Sequence, residues 1–389
     1  MLLQLLLVFF TAFLVVLYCT PALIKVAILK RLFDEPGGRK IHKRIIPTIG
    51  GIIIFAATLF SFSLWFSLDV ADGTSAEVLK YIKEFKLIIA TSLVLFFVGV
   101  KDDIIGTAPI KKLVAHVIVA LILVLIGDVR ITGLHGIFDI TDIPYWASVF
   151  LSLFTYVVVV NGFNLIDGVD GLAAGVGLIA ASAMGTWFIF ANDYVLASLA
   201  FSLAGALLGF LVFNFSPAKI FMGDSGSLTI GLIICILTIK LIEYPPEKLH
   251  GLFLYLSKPV FAIAAIIYPL VDTLRIFIIR ASKGHSPFSA DRNHLHHRII
   301  DCGFGHSGTV ILIYLFSVGS IGVTLLSHSL MSRWFSNANL SLAVLIGYSL
   351  ICAFILELVY RNKRKPKEKK KVKEEEISED EEEKEYEET

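Results

Sequence analysis

Residues 145–190 read YWASVFLSLFTYVVVVNGFNLIDGVDGLAAGVGLIAASAMGTWFIF, two apolar runs joined by a polar insert at 161–171. A membrane-spanning helix needs roughly 20 mainly apolar residues, and each run approaches that length. The pair therefore reads as two spans with a polar stripe between them. Within the insert, Asp167 and Asp170 are three residues apart, a spacing that puts both on one face of a helix. Asn161 and Asn164 repeat the spacing one turn earlier, while Gly168 and Gly171 remove side-chain bulk and let a ligand approach the backbone. Packing gives no reason for such a polar stripe between two apolar runs.

The rest of the chain extends this reading. Hydrophobic residues make up 56% and charged residues only 17%, against about 25% charged in a soluble domain. Mean hydropathy is +0.79. The same template finds about eleven candidate spans, near residues 2–27, 47–68, 86–100, 112–127, 145–161, 172–190, 194–213, 226–242, 259–279, 309–329 and 339–359. The expected fold is all-α, a polytopic integral membrane helical bundle. The first run has no basic region before it and is too long for a signal peptide, so it reads as a retained span. Cys19, Cys235, Cys302 and Cys352 lie mostly in apolar runs without paired spacing, which argues against a disulfide framework and a thiolate metal site.

Basic residues gather in alternate connections, beginning with Lys30, Arg31, Arg39, Lys40, Lys43 and Arg44 after the first span. The positive-inside rule then puts the N-terminus outside and the C-terminus in the cytoplasm. Residues 1–360 form the membrane domain. Residues 361–389 are a basic run followed by an acidic one, expected to be a disordered cytoplasmic tail.

Four further segments break the alternation of apolar helix and polar loop, all on the expected cytoplasmic side. Residues 34–51, DEPGGRKIHKRIIPTIGG, make a shaped cationic loop in which Arg39, Lys40 and His42 are candidate phosphate contacts, although a plain positive-inside loop has the same composition. Residues 99–106, GVKDDIIG, place Asp102 and Asp103 at a helix end. Carboxylates there are costly, and neighbours on a helix point about 100° apart, so the two should have different roles. Residues 221–227, FMGDSGS, surround Asp224 with small residues whose amides suit an anion nest at a helix start. Residues 287–298, PFSADRNHLHHR, carry Arg292, His294, His296 and His297. The H-x-H-H spacing splays the rings around a helix and no cysteine completes a tetrahedron, so diphosphate recognition is expected there rather than zinc.

Five aspartates bordered by two cationic loops suit Mg²⁺, which takes one or two carboxylates and leaves its other positions to water and phosphates; Mn²⁺ is the alternative ion. Metal-assisted phosphoryl transfer at the inner leaflet is as far as the residues lead. The motifs NGFNLIDGVDG, GDSGS and HLHH, in this order, resemble the polyprenyl-phosphate N-acetylhexosamine-1-phosphate transferase family, within glycosyltransferase family 4, over roughly residues 1–360. The histidine loop is similar to the branch using N-acetylglucosamine-1-phosphate rather than the phospho-N-acetylmuramoyl-pentapeptide branch.

The resemblance implies attack by undecaprenyl phosphate on the sugar-linked phosphate of a UDP-N-acetylhexosamine. UMP is released, and the lipid-linked sugar starts a cell-envelope polysaccharide such as an O-antigen. It implies a bacterial inner-membrane enzyme with its site toward the cytoplasm, membrane lipid around it and no nucleic-acid partner. By motif, Asp224 is the metal ligand, with Asp170 or Asp167 as partner. Asp102 and Asp103 would activate or orient the lipid phosphate, while Arg292 and the three histidines contact the diphosphate. Lys101 stands where the family more usually has an apolar residue. Which aspartate acts as base, which sugar is used and whether the chain oligomerises are left open. A transporter or flippase is the competing class, but its polar sites would lie near the bilayer midplane. The CDP-alcohol phosphotransferase pattern is absent, because Val169, Asp170 and Gly171 follow the first Asp-Gly pair.

Overall fold

The computed structural model describes residues 1–32, 46–66, 75–249, 256–282, 284, 294–331 and 338–360. Among these the chain is helical, with an isolated bridge between Gly133 and Asp142. In chain order the helices are α1 (Leu2–Leu29), α2 (Gly51–Trp65), α3 (Ser75–Ile105), α4 (Pro109–Leu121), α5 (Tyr145–Ile166), α6 (Leu172–Phe190) and α7 (Tyr194–Asn214). They continue as α8 (Gly223–Ile242), α9 (Lys258–Ala265), α10 (Ile267–Ser282), α11 (Leu295–Ile299), α12 (Gly305–Met331) and α13 (Ala338–Tyr360). A π-helical turn over Ile122–Ile126 extends α4.

Eight described helical segments are long and apolar enough to cross a membrane, and a bent pair makes a ninth. The difference from about eleven expected spans lies in three places. Helix α2 has only 15 residues, and α3 is a 31-residue helix whose first half is charged. The span expected at 259–279 is broken into α9 and α10, which meet at 78°. Pro269 explains the break: it has no N–H for the Ala265 carbonyl four residues back, and its ring crowds that carbonyl.

Helix α8 lies at the centre. It is apolar all round, and every residue from 225 to 239 is buried. Helices α3 and α5 flank it, with α2, α6 and α9 completing the wall. Helix α13 is outermost and exposes Leu350 and Phe354. At the C-terminal end of α8, the Glu243 carboxylate accepts the Thr132 amide at 2.8 Å and contacts His135 Nε2 at 3.0 Å, tying down the connection between α4 and α5. Burial alone would raise this carboxyl, but the hydrogen bonds from His135 and Thr132 outweigh it and hold the pKa below its usual value.

Lipid tails are as apolar as leucine, so helices in a bilayer associate by close packing rather than by escaping water. Helices α1 and α7 show this. A Cβ added to Gly205 would stand 2.2 Å from the Phe9 carbonyl oxygen, and one on Gly209 would stand 2.8 Å from that of Phe13. Gly205→Leu should therefore cost about 1–3 kcal/mol through overpacking and lower the thermal midpoint in detergent. Gly322→Leu, at a position with open space around an added Cβ, should leave it unchanged. Equal midpoints for the two variants would refute this account of the α1–α7 contact.

Candidate active site

The polar segments meet at the N-terminal end of α8. Helix α3 delivers Asp102 and Asp103 in its last turn, and Gly106 in the left-handed region (φ +73°) ends the helix. Pro109 opens α4, which its fixed φ favours. This short hairpin carries Lys112 on α4 beside the aspartates. Asp103 Oδ1 accepts the Asp224 amide at 2.6 Å and Oδ2 accepts the Ser225 amide at 3.0 Å, so α3 caps α8 from outside. Gly223 (φ +72°) makes that approach feasible, because an added Cβ would fall 2.7 Å from Asp103 Oδ1 and 2.1 Å from the Thr48 carbonyl oxygen.

These contacts correct the anion-nest expectation. The amides at the start of α8 already serve protein carboxylates: Asp103 holds those of Asp224 and Ser225, and Asp167 accepts that of Gly223.

Asp224 itself faces other partners. Asn164 Nδ2 donates to Asp224 Oδ1 at 2.7 Å and lies 3.0 Å from Ser227 Oγ. Lys112 Nζ lies 3.0 Å from Asp102 Oδ2 and also donates to Asp224 Oδ2. The three charged side chains are only 17–21% exposed, so one ammonium bridges two carboxylates largely out of water. Asp102 and Asp103 thus face different partners, one a cation and one a helix end.

The end of the first glycine-rich segment joins the same place. The Phe221 amide donates to the Pro47 carbonyl at 2.8 Å, and the Gly50 and Gly51 amides donate to Phe221 and Met222 at 2.9 and 2.7 Å. Arg39, Lys40, His42 and Arg292 lie outside the described residues.

Asp167 and Asp170 do not share a helical face as their spacing suggests. Helix α5 ends at Ile166, and Gly171 in the left-handed region starts α6, so both aspartates sit in the turn between. Asp170 Oδ2 accepts the Ala218 amide at 3.1 Å. Beside it, Asn214 Oδ1 accepts the Gly171 amide at 3.0 Å and Asn214 Nδ2 donates to the Ile220 carbonyl at 2.9 Å. These contacts pin the turn to the segment leading into α8. Asn161 bonds back to its own helix, to the Val157 carbonyl at 2.8 Å.

The histidines cluster rather than splay. His294 precedes α11, and its ring stacks 5.3 Å from that of His296, which lies 4.4 Å from that of His297. The anchor is Asp272 on α10, fully buried, whose Oδ2 meets His294 Nδ1 at 2.7 Å while Oδ1 accepts the Leu295 amide at 2.8 Å. The cluster borders the α5–α6 turn, since a Cβ added to Gly168 would lie 3.7 Å from His296 Nε2.

Asp272 and Lys112 were both missed from sequence. Asp272 is an acid inside an apolar run, the signal that singled out Asp102 and Asp103. Lys112, close to the start of α4, reads from sequence only as one of the basic connection residues that set topology.

Desolvation raises the Asp167 carboxyl well above the usual carboxylate range, and the Asp224 and Asp103 charges add to the rise. A divalent cation among these groups reverses that pressure. The donor set fits a hard cation, because Asp102 and Asp224 offer carboxylate oxygens, and the Lys112 ammonium already stands between them. Among the described residues no three acids, histidines or cysteines form a ready-made metal cluster.

Residues 85–242 match the glycosyl transferase family 4. The chain is 32% identical over 352 residues to the undecaprenyl-phosphate alpha-N-acetylglucosaminyl 1-phosphate transferase of Salmonella typhi, covering 88% of this chain and 90% of that protein. It is 32% identical over 330 residues to a probable undecaprenyl-phosphate N-acetylglucosaminyl 1-phosphate transferase of Bacillus subtilis, covering 80% and 83%. A decaprenyl-phosphate N-acetylglucosaminephosphotransferase of Mycolicibacterium smegmatis is 30% identical over 345 residues, covering 85% and 82%.

The raised Asp167 pKa has a definite sign. Without divalent ions the folded state holds the Asp167 proton more tightly than the unfolded chain, so stability falls as pH rises above about 4. Asp167→Asn removes this dependence. Thermal midpoints in EDTA should drop less for the variant than for the parent between about pH 4 and pH 8, and equal drops would contradict the assignment.

Proposed function

Because the chain belongs to glycosyl transferase family 4, we propose that the clustered aspartates, Lys112 and the histidines carry out its transfer of N-acetylglucosamine-1-phosphate to a polyprenyl phosphate. The donor in this reading is a UDP-sugar and the acceptor undecaprenyl phosphate. An acceptor oxygen attacks the sugar-linked phosphorus, the bond joining the two donor phosphates breaks, and UMP leaves with that bridging oxygen. A phosphate monoester has its second pKa near about 6, so the acceptor arrives largely ionised and needs little help from a base. Asp103, committed to two amides, is then a positioning residue rather than a base.

The carrying observation is the Lys112 ammonium held between Asp102 and Asp224 at the end of the bundle where the histidines gather. Asp224 and Asp102 would hold Mg²⁺, with Mn²⁺ as the alternative, and the ion would supply charge neutralisation there. Lys112 and the histidines hold the diphosphate and counter charge on the leaving group. Asp170 fixes the turn that carries Asp167 through the Ala218 amide.

Transport fits less well. The acidic groups crowd one end of α8, and the helix is apolar through the bundle centre apart from Thr229 and Thr238, whose hydroxyls bond to their own helix. The basic connections favour this end toward the cytoplasm, and the bacterial relatives favour a bacterial cytoplasmic membrane.

Purified protein with UDP-N-acetylglucosamine, undecaprenyl phosphate and Mg²⁺ should release UMP, and EDTA should stop it. Asp224→Asn should lower kcat about 10²–10³-fold while the fold persists. UMP release that is indifferent to EDTA would remove the metal from this scheme. Absence of UMP with every nucleotide-sugar donor would remove the transferase reading itself.

A further inference from the structure

The Lys112 ammonium stands on the oxygens that a divalent ion would use. It donates to Asp102 Oδ2 and to Asp224 Oδ2, and the two carboxylates lie within interacting distance of each other. Neighbouring oxygens are already engaged. Asp224 Oδ1 accepts the Asn164 amide at 2.7 Å, Asp103 gives both oxygens to the start of α8, and Asp170 Oδ2 accepts the Ala218 amide. An ion drawn to Asp102 and Asp224 therefore meets the same two atoms that the ammonium holds.

Both cations cannot stay. On shared oxygens they would stand a few ångströms apart, and like charges at that range repel strongly in a site largely out of water. Two carboxylates neutralise a divalent ion by themselves, so the ammonium becomes surplus. It is also free to leave. Lys112 comes from α4, whereas Asp102 belongs to α3 and Asp224 to α8, and its four-carbon stem carries donors that rotate freely. The side chain keeps 17% exposure, so its way out is open. A donor diphosphate offers charged oxygens, the acceptors that bind an ammonium most strongly.

We propose that Lys112 holds Asp102 and Asp224 in exchange with the divalent ion, and that the donor diphosphate draws the ammonium away and leaves their oxygens to the ion. The proposal rests on the transferase reading above and adds an order of events to it. Without donor, Lys112 competes for the two carboxylates and keeps metal affinity low. With donor, one movement of one side chain serves both ligands, so each tightens the binding of the other. Metal loading is thereby confined to protein that already holds a nucleotide sugar.

The test is Mn²⁺ binding to the full-length protein in phosphatidylcholine nanodiscs, read from the paramagnetic resonance signal of the free ion with no acceptor present. Without donor, Lys112→Met should bind Mn²⁺ at least about tenfold more tightly than the parent. Lys111→Met removes the same charge from an exposed neighbour and should shift the affinity by less than about twofold. Lys112→Arg keeps the charge and grips carboxylates with a planar fork, so it should bind Mn²⁺ at least about threefold more weakly than the parent. UDP-N-acetylglucosamine should tighten Mn²⁺ binding to the parent by at least about tenfold. Direct contact between ion and donor phosphates survives in Lys112→Met, so it is a smaller tightening there that reports the exchange.

If Lys112→Met binds donor-free Mn²⁺ no more tightly than Lys111→Met, the ammonium does not compete and the proposal fails. Should Lys112→Met not fold, equal Mn²⁺ affinities for Lys112→Arg and the parent overturn it instead. Either result beside normal UMP release sinks the exchange alone. If the parent releases no UMP once undecaprenyl phosphate is added, the transferase reading fails first and takes the donor-driven exchange with it.

Discussion

The Asp103 carboxylate, gripping the amides of Asp224 and Ser225, joins α3 to the start of α8. A helix end inside a bundle has donors that its own turns do not satisfy, and each one left unpaired costs about 1–3 kcal/mol. Here the acceptor comes from another helix, so satisfying α8 also sets the depth of α3. Helices α2, α3, α5, α6 and α9 pack around α8. The contact that caps it therefore fixes where Asp102, Asp224 and the α3–α4 hairpin stand relative to the turn after α5.

The five aspartates divide into holders and actors. Asp103 and Asp170 accept backbone amides, from α8 and from Ala218 respectively. Asp102 and Asp224 share Lys112. Asp167 takes the Gly223 amide and stays under pressure from its neighbours' charge. A row of acids in a sequence looks uniform, yet neighbouring backbone sorts them into structural anchors and groups able to take a cation. Asp272 repeats the pattern across the site, spending both carboxylate oxygens on placing His294 and α11.

Much of this was legible beforehand, for definable reasons. Apolar runs of membrane length locate most spans, because lipid imposes that length. The break at Pro269 was not read because the run through it is continuously apolar, and hydropathy ignores a missing N–H. Motif glycines marked the site, but spacing alone assigned Asp167 and Asp170 to a helical face when Gly168 and Gly171 argued for a turn. Lys112 escaped because a lysine near a helix start has a ready explanation in topology. Its second role depends on α8, 112 residues later in the chain. Clustering of the histidines was hidden in the same way, since Asp272 draws His294 back from a different helix.

Lys112 also bears on how the molecule is assembled. Asp102 and Lys112 are ten residues apart in one hairpin, and they meet at 3.0 Å. A nascent chain is made from its N-terminus, so this hairpin meets the bilayer before α8 exists. A lone carboxylate at that depth is costly, whereas an acid and a base on adjoining helices enter as a neutral unit. When α8 arrives with Asp224, the ammonium is already in place to receive it. The chain thus carries, in Lys112, a counter-ion of its own for Asp102 and Asp224.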